Sequence, residues 1–175
     1  MIKMREGVAA AALFDLVDFS GVESATLVEV GSYAGESAAL FASMDKISKV
    51  FCVDPWKPGY DPIDIASSSD FVEVESEFDK VVERSNGKIV KFKGDFVEFA
   101  SKYQELVPDI VYIDAKHDYD SVSKDIRTSI AMNARIISGH DYNSKDWPGV
   151  VMAVNNAFGS PDKVFRDTSW IKTMK

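Results

Sequence analysis

The stretch Glu29-Val30-Gly31-Ser32-Tyr33-Ala34-Gly35-Glu36-Ser37 sets a carboxylate, two glycines four positions apart and several hydroxyls between an apolar run and an amphipathic one. A glycine turn between a strand and a helix lets a ligand approach the backbone closely. It also presents the free N–H groups and positive dipole end of the helix. The spacing is neither G-x-G-x-x-G nor the Gly-Lys-Ser/Thr of a triphosphate cradle. Glu29 stands just before the turn, where a carboxylate repels phosphate and pairs with an ammonium group. The chemistry is that of a cofactor carrying an amino acid tail. Asp54 follows Gly31 by 23 positions, near the offset of about 20 at which a carboxylate holds ribose hydroxyls. Asp95, after Gly94, suits either an adenine amino group or the cap of the next helix. Asp114 with His117 three positions on, and the pair His140-Asp141, complete the set. Carboxylates of this kind suit a hard divalent ion, and a histidine suits proton transfer near neutral pH.

These groups act together only if they stand at neighbouring strand ends. The apolar pattern supplies strands at residues 26–30, Val50 to Val53, Ile89 to Phe92, Ile110 to Ile113 and Arg135 to Ser138. Two closing strands follow, Lys163 to Phe165 and Trp170 to Thr173. Helices are expected at residues 5–19, from Ser37 to Met44, from about Phe96 to Leu106, around Val122, Ile126 and Ile130, and from Pro148 through Phe158. A further helix, capped by Ser67, Ser68 or Ser69, carries Phe71, Val74, Phe78 and Val81 and ends at Asn86-Gly87. Trp56 to Ala66 reads as a loop. Strands alternating with helices of this length form right-handed βαβ units. The fold class is therefore α/β, a doubly wound, mostly parallel seven-stranded sheet with helices on both faces and an antiparallel C-terminal edge. Residues 1–175 read as one domain. Ligands of such sheets bind beyond the carboxyl ends of the strands, where Glu29, Asp54, Asp95, Asp114 and the His140-Asp141 pair all fall. Carboxylates also cap helices there. Acid or histidine at five consecutive strand ends, with both histidines of the chain among them, favours a functional rim.

Composition narrows the class. A net charge of -8 argues against tracking a nucleic acid backbone. Cys52 is the single cysteine, so no internal disulfide or cysteine metal cluster forms, and its apolar neighbours suggest a buried inert thiol. No apolar run has transmembrane length. Lys3 and Arg5 precede an alanine-rich run, but Asp15 and Asp18 interrupt it, so the segment is not read as a signal peptide. A cytoplasmic protein acting on a small molecule is expected, with no membrane partner and with homo-oligomer formation left open.

The ordered motifs Glu29-Val30-Gly31-Ser32-Tyr33-Ala34-Gly35-Glu36-Ser37, Val53-Asp54-Pro55-Trp56, Gly94-Asp95, Ile113-Asp114-Ala115-Lys116-His117-Asp118-Tyr119 and Ser138-Gly139-His140-Asp141-Tyr142 resemble those of class I S-adenosylmethionine-dependent methyltransferases over essentially the whole chain. Within that class the chain is most similar to small O-methyltransferases of the catechol and macrolide-sugar type, many of which need magnesium. The resemblance implies a Rossmann-like methyltransferase fold, S-adenosyl-L-methionine as cofactor and O-methylation of a small hydroxylated substrate. It places cofactor contacts at Glu29, Gly31, Ser32, Tyr33, Gly35, Ser37, Asp54, Trp56, Gly94, Asp95 and Asp114. It implies a magnesium or other divalent ion on Asp114, His140 and Asp141. His117 keeps the three-residue spacing from Asp114 of a catalytic base in the sugar-type enzymes.

The chain departs from that pattern at His140, where relatives carry an acid or amide, and at Lys116, which could weaken a metal site or replace the metal electrostatically. Asn143 is an alternative oxygen donor. Among loop aromatics, Trp56 and Tyr142 are expected to touch ligand, while Tyr60, Tyr119 and Trp147 more simply finish the sheet rim. Two other functions are compatible with the residues. One is a methyltransferase-fold binding or regulatory module without turnover, suggested by the lack of an inserted cap. The other is a nicotinamide-dependent oxidoreductase, which the glycine spacing and Glu29 disfavour.

Overall fold

The computed structural model describes residues 7–174, without the side chains of Val8 and Ala9. The start of the expected first helix, with Lys3 and Arg5, lies outside them. The elements run α1 (Gly7–Ser20), β1 (Ala25–Val30), α2 (Glu36–Ser43), β2 (Ile47–Asp54), a 3-10 turn (Ile65–Ser68), α3 (Phe71–Arg84), β3 (Ile89–Lys93), α4 (Phe96–Lys102), β4 (Ile110–Ile113), α5 (Tyr119–Ala131), β5 (Ile136–Gly139), α6 (Pro148–Phe158), β6 (Lys163–Val164) and β7 (Trp170–Thr173). The seven strands form one sheet in the order β3-β2-β1-β4-β5-β7-β6. β1 to β5 pair in parallel, and β7 joins β5 and β6 antiparallel. The expected doubly wound sheet with its antiparallel edge is present. No helix among the described residues is long and apolar enough to cross a membrane.

β4 and β5 are buried at every position, and β1 at all but one, because helices cover both faces of the sheet. Alternate residues feed two cores. Leu27, Val50, Ile110 and Tyr112 pack with Leu13, Phe41 and Phe78 on the face of α1, α2 and α3. Val28, Val111, Ile113 and Ile137 pack with Phe99, Ile126 and Val154 under α4, α5 and α6. The order of strand addition reverses at β1, whose neighbours are β2 and β4. The crevice at that reversal is where such sheets bind ligands.

Two local readings change. Asp70, not Ser67–Ser69, caps α3, accepting from the N–H groups of Val72 and Glu73. Ser67 is buried and accepts from the Asp61 N–H, while the Ser69 hydroxyl meets that of Tyr33 at 2.7 Å. The helix α4 ends at Lys102 rather than near Leu106. Tyr103 there turns into an aromatic cluster with Phe51, Phe92 and Phe99, and that packing outweighs further helix.

Candidate active site

The glycine turn after β1 is tightened from both sides. Gly31 adopts φ +87°, and a Cβ on it would lie 2.2 Å from the Asp114 carbonyl oxygen. The turn can therefore press against the end of β4 only without a side chain. Gly35, at φ +84°, begins α2 against Phe78 and Val81. Asp54 braces the loop from β2: one oxygen accepts from the Ser32 and Tyr33 N–H groups at 3.0 Å each, the other from Trp56 N–H at 2.6 Å. Tyr33, Trp56 and Asp141, directly after β1, β2 and β5, hold the left-handed backbone that side chains disfavour. Such strain gathers at functional sites.

A cavity of about 300 Å³ opens at the reversal point. Gly31, Tyr33 and Asp54 form one end, Val53, Pro55, Gly94, Asp95 and Phe96 one wall, and Asp114, Ala115 and Lys116 the other. Tyr60 and the α5 residues Ser121, Lys124 and Asp125 complete it. The dimensions suit a nucleoside-sized ligand held by apolar walls and a few polar groups. Glu29 lies fully buried beneath the turn, its carboxylate 3.6 Å from the Cys52 sulfur. Burial, with Glu29 close by, holds the Cys52 thiol well above its usual pKa, so it is an inert core group.

Asp114 links this cavity to a cluster of acids and histidines. Ligand atoms of Asp114, His140 and Asp141 lie within 4.8 Å of one another. His140 Nδ1 stands 3.1 Å from Asp141 and 4.0 Å from Asp114, and its Nε2 is 3.6 Å from Asp167. His117 bridges two carboxylates, with Nδ1 3.0 Å from Asp61 and Nε2 3.0 Å from Asp141. Its ring stacks on Trp147 with centroids 3.8 Å apart. Burial pulls the His117 pKa down, but the hydrogen bonds to Asp141 and Asp61 outweigh it and lift the ring to about 9. Burial pushes the Asp141 carboxyl up, yet the two histidines hold it well below the usual range. His117 is thus an imidazolium at neutral pH with both nitrogens engaged. This geometry gives it no lone pair with which to act as the expected base. The crevice between the cluster and α6 holds only about 10 Å³, less than a substrate needs.

Of the expected cofactor residues, Gly31, Tyr33, Asp54, Gly94, Asp95 and Asp114 line the cavity. Ser32 and Ser37 are buried in the turn and the first turn of α2 and do not line it. Asp95 caps α4 by accepting from Glu98 N–H, so both readings of it meet in one residue. Trp56 corrects its assignment. It is buried against Phe78 under the Lys91 ammonium, and its indole N–H donates to the Tyr33 carbonyl, away from the cavity. Tyr142 also turns inward, donating to Asn155 on α6. Asn143 is tied to Lys145 and Asp146 and supplies no oxygen to the cluster. Lys116 lines the cavity rather than covering the cluster. Asp61, Asp125 and Asp167 were not singled out by the sequence. They sit in a loop, on a helix face and in a strand turn, where periodicity carries no signal.

A family described as a methyltransferase domain matches residues 28–142. No curated protein sequence matches the chain. Several solved structures share its fold. An O-methyltransferase from Bacillus cereus in complex with S-adenosylhomocysteine has a TM-score of 0.64 at 14% identity, over 96% of this chain and 80% of that one. TomG of Streptomyces achromogenes, an O-methyltransferase of tomaymycin synthesis solved with S-adenosylmethionine, gives 0.64 at 10% identity over 98% and 82%. CalS11, a TDP-rhamnose 3'-O-methyltransferase of calicheamicin biosynthesis, gives 0.63 at 13% identity over 94% and 76%. The family match spans the glycine turn, the braced Asp54 and the Asp114-to-Asp141 rim, and the chain belongs to the methyltransferase-domain family.

Proposed function

We propose that the protein is an S-adenosylmethionine-dependent O-methyltransferase acting on a small hydroxylated molecule. The observation that carries the reading is the cavity between the Gly31 turn and the Asp114–Lys116 segment, which leads directly to the carboxylate–histidine cluster. Gly31 and Tyr33, above buried Glu29, would take the methionine part, and Asp54 would hold the loop that meets the ribose. Methyl transfer from a sulfonium is an in-line displacement, so the acceptor hydroxyl must be aligned and relieved of its proton. In this reading Asp114 and Asp141 would accept a hydrogen bond from such a hydroxyl. Asp114 and His117 keep a catalytic assignment with roles exchanged: the carboxylate takes the proton, and the His117 imidazolium offsets the crowded negative charge.

Two carboxylates and one imidazole within 4.8 Å of one another fit a divalent ion. The nitrogen donor suits manganese or zinc at least as well as magnesium. Bound there, the ion would lower the pKa of the acceptor hydroxyl. Transfer of a radiolabelled methyl group from S-adenosylmethionine to a panel of phenols, sugars and hydroxy acids, with and without manganese, tests the activity. Loss of transfer in Asp114→Asn with retained cofactor binding supports the reading. Full transfer in that variant contradicts the role of Asp114.

The narrow crevice beside the cluster favours a second reading, a cofactor-binding module without turnover. Cofactor binding with no transfer to any acceptor, with metal present, would favour it.

A further inference from the structure

The turn between β6 and β7 brings a carboxylate to the back of the carboxylate–histidine cluster. Asp167 Oδ2 stands 3.6 Å from His140 Nε2, within reach of charge attraction and just beyond a hydrogen bond. The Asp167 side chain is only 3% exposed. It is held from within: Oδ1 accepts from the Ser169 N–H at 3.0 Å and Oδ2 from the Ser169 hydroxyl at 2.8 Å. That hydroxyl lies 3.2 Å from the buried Tyr112 hydroxyl on β4. The Tyr142 N–H donates to the Thr168 carbonyl at 3.0 Å, which ties the turn to the segment following His140 and Asp141. Thr168 holds φ +70°, a conformation that a β-branched residue rarely adopts.

The two nitrogens of an imidazole point away from each other across the ring. Nδ1 of His140 faces the cluster, 3.1 Å from Asp141 and 4.0 Å from Asp114, and Nε2 faces Asp167. An ion seated among Asp114, His140 and Asp141 can take the ring only through a bare nitrogen, since a protonated one has no lone pair to give. On this geometry that nitrogen is Nδ1, and the remaining ring proton belongs on Nε2, beside Asp167. Asp167 itself is not among the three residues whose ligand atoms lie within 4.8 Å of one another. A carboxylate behind a ligating histidine fixes its tautomer and orientation and raises its basicity. A nitrogen donor strengthens a site for manganese or zinc more than for magnesium, which takes oxygen.

We propose that Asp167 is a positioning residue for the divalent ion: it keeps the His140 proton on Nε2, leaves the Nδ1 lone pair turned toward Asp114 and Asp141, and so gives the site its preference for manganese over magnesium. The proposal rests on the metal reading above. It adds a residue from the antiparallel edge of the sheet to a site otherwise built at the ends of β4 and β5.

Calorimetric titration of the intact protein with manganese chloride and with magnesium chloride tests it, on wild type, Asp167→Asn, His140→Asn and the double variant. Asp167→Asn keeps the shape and the acceptor for the Ser169 N–H, so its amide N–H₂ faces Nε2 and drives the ring proton onto Nδ1. It should bind manganese about 10- to 100-fold more weakly than wild type, and the ratio of manganese to magnesium affinity should fall at least about fivefold. In the His140→Asn background the same change should cost no further manganese affinity, because the ring it acts through is gone. In the zinc-loaded wild type, long-range ¹H–¹⁵N correlation should place the His140 proton on Nε2 and none on Nδ1. Equal losses for both ions in Asp167→Asn, or a loss of the same size in the His140→Asn background, would reduce Asp167 to a structural role and overturn the proposal. Should the asparagine variant not fold, a zinc-loaded wild type with the His140 proton on Nδ1 overturns it equally. No binding of either ion to wild type at millimolar concentration would overturn the metal reading together with the proposal, while leaving the cofactor reading intact.

Discussion

The contact between Gly31 and the end of β4 gives the most quantitative consequence. In Gly31→Ala, the new Cβ would stand 2.2 Å from the Asp114 carbonyl oxygen, 2.7 Å from its carbon and 2.8 Å from the Ala115 Cα, where ordinary contact begins at 3.4 Å. All three atoms are backbone, so no rotamer change relieves the overlap. The β1 turn and β4 must part by about 1 Å, which strains the 2.8 Å hydrogen bond from Asp114 N–H to the Val30 carbonyl. The left-handed backbone costs about 1–2 kcal/mol with a side chain, overpacking about 1–3, and the weakened hydrogen bond about 1. The sum is roughly 3–6 kcal/mol, against a total stability of about 5–15. At about 2–4 °C per kcal/mol for a chain of this size, the melting temperature falls by roughly 6–24 °C. The peptide that must move lines the cavity, so affinity for S-adenosylhomocysteine drops as well. Gly59→Ala is the control. Gly59 also has a positive φ, +72°, but an added Cβ meets nothing within 4 Å, so only the conformational penalty of about 1–2 kcal/mol remains. Differential scanning calorimetry of the two variants separates the effects. Equal losses in both would refute the close-approach argument, because backbone conformation alone would then explain the cost.

Three further outcomes follow from the charged groups. Asp125 has its folded pKa raised from 3.8 to about 7, so its ionisation opposes folding. Asp125→Asn should leave stability unchanged near pH 4 and increase it above pH 7 by at most roughly 4 kcal/mol, read by denaturant unfolding. His117 is raised from 6.5 to about 9, so its contribution is complete below about pH 6.5 and lost as pH rises through 9. His117→Gln should destabilise by up to roughly 3 kcal/mol near pH 6 and by much less near pH 10, in metal-free buffer; a loss independent of pH would show that stacking on Trp147, not charge, is what matters. Manganese titrated into the wild type should bind with proton release, because the ion competes with His117 for Asp141, and Asp141→Asn should weaken it at least about tenfold. Equal manganese affinity in the variant would remove Asp141 from the metal set.

The parts legible from sequence are those fixed by local chemistry. The glycines of the first turn, the apolar strands and the acid after each strand follow from backbone freedom and periodicity, and they located the cavity. Side-chain direction after a strand is not local. Trp56 takes φ +46°, which sends its ring under α3 instead of toward ligand, and no spacing rule reveals that. Asp61 reaches His117 only because the loop after β2 folds back, with Gly59 N–H donating to the Ser67 carbonyl. Asp167 sits in the turn before β7 and approaches His140 through the antiparallel edge. The pairing of His117 with two carboxylates could not be read from the Asp114–His117 spacing, which suggested a free base. The charge state of a histidine depends on partners brought by distant segments.

The central claim is that the cavity at the β1–β4 reversal holds S-adenosylmethionine. Isothermal calorimetry of the intact protein with S-adenosylhomocysteine tests it most directly. One equivalent bound in the micromolar range, at least tenfold weaker in Gly31→Ala, is the expected result. The absence of both heat and thermal shift at millimolar ligand would contradict it.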